Sequence, residues 1–163
     1  MLFLRLGLRV VSARAACRPR SYATSSVTIN RVAPEATVGV REAVLWPGRP
    51  DMCRLAEDAQ GLHLAANVNN DVVGVVSLFV DGAEARFRKF AVLEAHRGAG
   101  LGSRLLQAAE SEATRLGAKT IDCDARAEMA AYYGKRGYAA AGPPFAKYEG
   151  SEQLYATMRK PLA

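Results

Sequence analysis

The densest chemical signal in the chain is the run Arg97-Gly98-Ala99-Gly100-Leu101-Gly102. Alternating glycines let a backbone approach a ligand without side-chain clash. Strand-forming residues precede the run and helix-forming residues follow it, so it falls at a helix N-terminus, where unpaired N–H groups and the helix dipole favour an anion. In physical terms this is a phosphate cradle. Two familiar phosphate loops fail on residue identity. The dinucleotide fingerprint G-x-G-x-x-G, started at Gly98, needs a glycine where Ser103 stands, and the strand before it reads as part of an antiparallel meander. A P-loop needs Gly-Lys followed by Ser or Thr, a run the chain does not contain.

Other reactive residue types are sparse. Cys17, Cys53 and Cys123 show no paired spacing, which argues against both a disulfide scaffold and a thiolate metal site. His63 and His96 are the only histidines, too few for a histidine cage, so no metal is expected. His63, alone on a strand, reads as structural rather than as a general base. Cys123 has no histidine near it in sequence and reads as a buried free thiol rather than a nucleophile.

The elements that must position the loop follow from periodicity. Val27 to Val32 alternates as an opening strand, and Pro34 to Leu45 reads as a helix stopped by Trp46-Pro47-Gly48-Arg49-Pro50. Leu62 to Val68 and Val72 to Val80 form a hairpin about Asn69-Asn70, because asparagine tolerates positive φ. Asp81-Gly82 turns the chain again into Ala83 to Val92. Gly100 to Leu116 is the clearest helix, with Leu101, Leu105, Ala108, Ala109, Glu112 and Leu116 spaced by three and four and closed by Gly117. Thr120 to Cys123 then gives a strand–helix–strand crossover. A further helix is expected over Ala127 to Lys135, and strands around Tyr138 and over Leu154 to Met158.

The loop matches the R/Q-x-x-G-x-G/A signature as Arg97-x-x-Gly100-x-Gly102, and Tyr133-Gly134-Lys135-Arg136-Gly137-Tyr138 matches Tyr-x-Lys-x-Gly-aromatic. On these two motifs, in this order, the chain resembles the GNAT (N-acetyltransferase) superfamily over roughly Leu62 to Pro161. The resemblance implies an α/β fold with a mixed, mostly antiparallel sheet of about six or seven strands, flanked by helices and split at an acyl-CoA site. It implies acetyl-CoA as co-substrate, with the CoA pyrophosphate on the loop of Arg97, Gly98, Ala99, Gly100, Leu101, Gly102 and Ser103, and the pantetheine arm along Phe90, Ala91 and Val92. Tyr133 would return a proton to the CoA sulfur, a role that suits a phenol of pKa about 10. A backbone N–H near Val92 would polarise the carbonyl, and Tyr132 reads as core. The acceptor would be an amine on a small molecule or a protein, with a homodimer left open.

One departure matters. The position that holds a catalytic carboxylate in histone-acetylating members falls on Arg86, so that mechanism does not carry over. Glu84, two residues earlier on the same strand face, is a weak substitute, and a water relay from the bulk is the default base. The alternative reading is a catalytically silent acyl-CoA-binding or regulatory domain. Arg86, Arg88 and Lys89 could draw an acidic substrate or the CoA phosphates, or be a solvated face.

Charge placement bounds the rest. Of 163 residues, 50% are apolar and 23% charged, enough for one domain with a real core. The net charge of +6 is uneven: Arg5, Arg9, Arg14, Arg18 and Arg20 precede Val27 and no carboxylate does, so the remaining 17 basic residues face 16 acidic ones. A nearly neutral body argues against a nucleic-acid partner. The arginine-rich, acid-free start, with Leu2, Phe3, Leu4, Leu6, Leu8, Val10 and Val11 on an amphipathic pattern, has the composition of a mitochondrial presequence. Residues 1–26 are therefore expected to be a transit peptide for the mitochondrial matrix, processed near Ala23, and residues 27–163 the acyltransferase domain. No stretch approaches the roughly 18 to 20 apolar residues of a membrane span, so no membrane partner is expected.

Overall fold

The computed structural model describes residues 27–163, and the expected transit peptide lies outside them. An eight-stranded sheet runs in the order β1-β2-β3-β4-β5-β8-β6, with β7 also on β8. The strands are β1 Val27–Val32, β2 Leu62–Val68, β3 Asp71–Asp81, β4 Glu84–Val92, β5 Thr120–Arg126, β6 Ala139–Ala140, β7 Phe145–Ala146 and β8 Leu154–Pro161. The helices are α1 Val38–Leu45, α2 Leu101–Arg115 and α3 Ala130–Gly134. The sheet is mostly antiparallel and helix-flanked, as expected; the strand expected around Tyr138 is β6, and the count reaches eight because β7 is a two-residue strand too short to show in a sequence pattern.

The first four strands are antiparallel neighbours. Asn69 and Asn70 both take positive φ, 52° and 72°, which supplies the mirror-image turn that suits the right-handed strand twist. The next turn is Gly82-Ala83 rather than Asp81-Gly82, since Asp81 is paired with Glu84 and only Gly82 has positive φ.

The crossover β4–α2–β5 is the one parallel connection, and its pairing is short. Only Glu84, Ala85 and Arg86 lie beside Thr120, Ile121 and Asp122. Beyond Arg86 the two strands splay. Helix α2 covers that region, burying Leu101, Leu105, Leu106, Ala109 and Ala113 against Leu64, Val76, Leu78, Phe87 and Ile121. Each such leucine contributes about 1.5–3 kcal/mol through burial. The buried stripe differs from the expected one: Leu116 is 43% exposed, and Glu112 pairs with Arg31 at 2.5 Å and with Arg115 at 2.8 Å. On the other sheet face a smaller core joins Val40 of α1 to Ala65, Val75 and Ala91.

A bulge in β4 decides which side chains meet α2. Val75 lies opposite Ala91 but Ser77 opposite Arg88, so Val76 faces both Lys89 and Phe90, and Lys89 takes φ 52°. Before the bulge Ala85 and Phe87 point into the α2-side core; after it Phe90 and Val92 do, while Ala91 turns to the α1 side. Without the extra residue Ala91 would face α2 and Phe90 would not. Among the described residues no helix is long and apolar enough to cross a membrane.

Candidate active site

The splay between β4 and β5 opens a cavity of about 800 Å³ that runs from the start of α2 through the sheet to the α1 side. Its α2 end is built from the glycine loop. Gly98 and Gly100 have φ of 81° and 79°, and a Cβ on either would meet nothing within 4 Å, so the loop is open on the side where a side chain would stand. The first hydrogen bond of α2 runs from the Arg104 N–H to the Gly100 carbonyl at 3.1 Å, leaving the N–H groups of Leu101, Gly102 and Ser103 without an intrahelical acceptor. Gly102 is needed for packing rather than for φ. A Cβ there would stand 3.0 Å from Tyr132 Oη and 3.4 Å from Phe90 Cζ.

Arg97, Gly98, Gly100, Leu101, Gly102 and Ser103 all line this cavity, together with Phe90, Ala91 and Val92; Ala99 does not. Arg97 folds back on the strand, its Nε donating to the Val92 carbonyl at 3.0 Å. A second cation stands where sequence reasoning placed none. Arg136 donates to Ser103 Oγ from Nη2 at 2.6 Å, and its guanidinium lies 3.5 Å over the Tyr132 ring. Its only sequence sign was a position inside the Tyr133–Tyr138 motif. Tyr132, expected as core, is half-buried in the cavity wall against Phe90, with ring centroids 6.4 Å apart, because α3 turns two successive residues toward the sheet.

The middle of the cavity carries Tyr133 and Cys123. Tyr133 is buried, 6% exposed, and packs among Phe87, Tyr132 and Tyr138 at ring-centroid distances of 5.2 to 5.9 Å. Burial pushes its phenol well above the ordinary value, and the Cys123 side chain hydrogen-bonded to it adds to the rise. The Cys123 thiol is itself pushed up to about 12, chiefly by burial and then by Asp122 and Asp124. That thiol is therefore protonated and a poor nucleophile, in line with the structural reading. It also reports that a thiolate at this wall is costly.

On the α1 side the lining is charged. By strand alternation Asp122, Asp124 and Arg126 face away from Cys123. Arg86 donates to Asp122 at 2.7 Å and to Asp124 at 3.3 Å, and Asp124 also accepts from Lys147 Nζ at 2.9 Å and Thr157 Oγ1 at 3.1 Å. Burial raises the Asp124 carboxyl, but Lys147 and Arg86 more than reverse this and hold it below the usual carboxylate range. Asp124 is thus a poor proton acceptor. Glu84 does not line the cavity, and its side chain is 70% exposed.

His63 lies outside the cavity, in a closed network under α1. Arg41, fully buried, donates to Asp58 at 2.7 and 3.1 Å, to the Cys53 carbonyl at 2.8 Å and to Ser77 Oγ at 2.5 Å. Ser77 Oγ in turn donates to His63 Nδ1 at 2.8 Å, while His63 Nε2 donates to the Asp58 carbonyl at 2.8 Å. Every partner is part of the frame.

The family model described as "Acetyltransferase (GNAT) family" matches residues 30–138. This chain belongs to the GNAT acetyltransferase family. A Bacillus subtilis protein named an uncharacterized N-acetyltransferase, YitI, is 28% identical over 127 residues, covering 72% of this chain and 85% of its own. A candidate N-acetyltransferase from Lactobacillus plantarum superposes with a TM-score of 0.76 at 23% identity, covering 85% of this GNAT chain and 99% of its own. A GNAT acetyltransferase from Elizabethkingia anophelis, solved with acetyl-CoA bound, gives 0.66 at 16% identity, covering 83% and 98%. At these identities the structural likeness carries the fold. Among the described GNAT residues no cluster of His, Cys, Asp or Glu could hold a metal ion.

Proposed function

We propose that this GNAT chain is an acetyl-CoA-dependent N-acetyltransferase of the mitochondrial matrix, with Tyr133 as the proton donor to the CoA sulfur. The observation that carries the reading is the single cavity that joins the open glycine loop, the splayed edge of β4 and a buried tyrosine. Bound acetyl-CoA would supply an activated acetyl group; the remaining requirements fall on the chain. The N–H groups of Leu101, Gly102 and Ser103, with Arg136 behind them, form a cationic seat for a pyrophosphate. Phe90, Ala91 and Val92 offer strand backbone to the pantetheine amides, and an N–H near Val92 polarises the thioester carbonyl.

Tyr133 holds its proton because burial disfavours the phenolate. A leaving thiolate beside it suffers the same penalty that raises Cys123, so its demand for a proton rises in step and transfer from Tyr133 Oη stays favourable. With Asp124 held ionised by its cations, deprotonation of the incoming ammonium falls to water. The matrix assignment rests on residues 1–26 and on their composition alone.

A silent acyl-CoA-binding domain is the second reading, favoured by Arg86 at the position of the family carboxylate. Release of CoA from acetyl-CoA across an amine panel separates the two. Under the enzyme reading Tyr133→Phe lowers kcat roughly 10²-fold or more, the usual scale for general acid catalysis, with acetyl-CoA affinity within twofold of the parent. Tight acetyl-CoA binding with no turnover on any amine would instead support the silent domain.

A further inference from the structure

The α1-side half of the cavity is aromatic and cationic. Trp46, at the end of α1, meets Tyr148, after β7, edge to face at 6.2 Å, and Tyr148 meets Tyr155 of β8 at 6.3 Å. All three rings line the cavity, so this side offers a bound molecule an aromatic surface.

Five cations line it, and they are not equally paired. Arg86 meets Asp122 and Asp124, Lys147 meets Asp124, and Arg88 meets Glu57. Lys89 and Arg126 have no carboxylate within 4 Å among the described residues. Lys89 is the more telling of the two. The β4 bulge holds it at positive φ, its Nζ donates to the Met52 carbonyl at 2.6 Å and stands 5.4 Å from the Trp46 ring centre, and it is only partly exposed. An ammonium removed from water and set beside other cations is costly unless an anion joins it. The chain supplies an aromatic face and one carbonyl there, and the nearby carboxylate of Asp58 is already bonded to Arg41.

We propose that the acceptor is a small amine that carries an aromatic group and its own carboxylate, bound with the carboxylate on Lys89 and the flat ring against Trp46 and Tyr148. This rests on the acetyl-transfer reading above. The burial of Lys89, with Arg41 and Arg88 nearby, already lowers its pKa; a carboxylate on Nζ would reverse that shift.

The test uses the full chain, acetyl-CoA and three acceptors that share one aromatic body: phenylalanine, phenylalanine amide and phenethylamine. CoA release should give phenylalanine a kcat/KM roughly 10- to 100-fold above the other two, expressed mainly in KM, the range expected for one hydrogen bond between charged groups. Lys89→Gln should shrink that ratio to within about threefold, and Lys89→Arg should restore most of it. The inference is overturned if the analogues lacking the carboxylate are used as well as phenylalanine, or if the ratio survives in Lys89→Gln. If no acceptor turns over, the same three are titrated by calorimetry into the acetyl-CoA-loaded chain. Binding of phenylalanine alone then sustains the carboxylate site, and binding of none overturns it, while acetyl transfer itself stands or falls on the amine panel.

Discussion

Arg41 donates to one carboxylate, one carbonyl and one hydroxyl in a site with no access to solvent, whereas Lys89, on the same side of the sheet, donates to a single carbonyl at the edge of a cavity. Both are desolvated cations on neighbouring strands and helices. The first has its charge matched by a carboxylate within the fold, although its Nε donates to nothing; the second is met only in charge-free ways. Burial of a charge is therefore not in itself a sign of function. The sign is a buried charge whose pairing the chain leaves incomplete where there is room for a ligand.

The sharpest way to break this contrast is to open the closed network. Asp58→Ala strands the Arg41 guanidinium and should cost about 3–5 kcal/mol in denaturant unfolding; a loss under about 1 kcal/mol would mean the network is not the frame it looks like. Its pH dependence has a definite sign. Burial alone would raise the Asp58 carboxyl, but Arg41 and the Leu55 N–H hold it below the ordinary value. Its contribution should thus be fully present above about pH 4 and disappear as pH falls through the lower folded value, an acid limb that Asp58→Asn removes. On the open side, Gly102→Val drives methyl groups toward Tyr132 and Phe90. Overpacking of about 1–3 kcal/mol should appear chiefly as weaker acetyl-CoA binding by calorimetry, with the melting temperature lowered by only a few degrees. The smallest effect belongs to neither region. Arg31→Ala removes an exposed pair with Glu112 and should change stability by under about 1 kcal/mol, even less at high salt.

Much of the frame could be read from residue order. Asn69-Asn70 and the turn at Gly82 mark the meander, Gly117 follows the end of α2, and the glycine loop and Tyr133 line one cavity. What escaped reading has local causes. The bulge at Lys89 leaves no trace, because lysine is not a residue that announces positive φ. Arg41 on a helix reads as solvated until Asp58, His63 and Ser77 arrive from distant strands and turns. The buried stripe of α2 is legible at Leu101, Leu105 and Ala109 but not at its end, because the helix stops at Arg115 and leaves Leu116 exposed. Arg136 was passed over since its partner, Ser103, is 33 residues away.

The seam between β4 and β5 has a further consequence. Only three residue pairs form the backbone ladder between the first half-sheet and the second, and side chains such as Arg86 on Asp122 and Phe87 on Tyr133, with helix α2, carry the rest of the joint. Backbone amides along the open edge should exchange with deuterium well before those in β2 and β3. A molecule seated across that gap would lock both half-sheets at once and report its arrival as a rise in the stability of the whole chain.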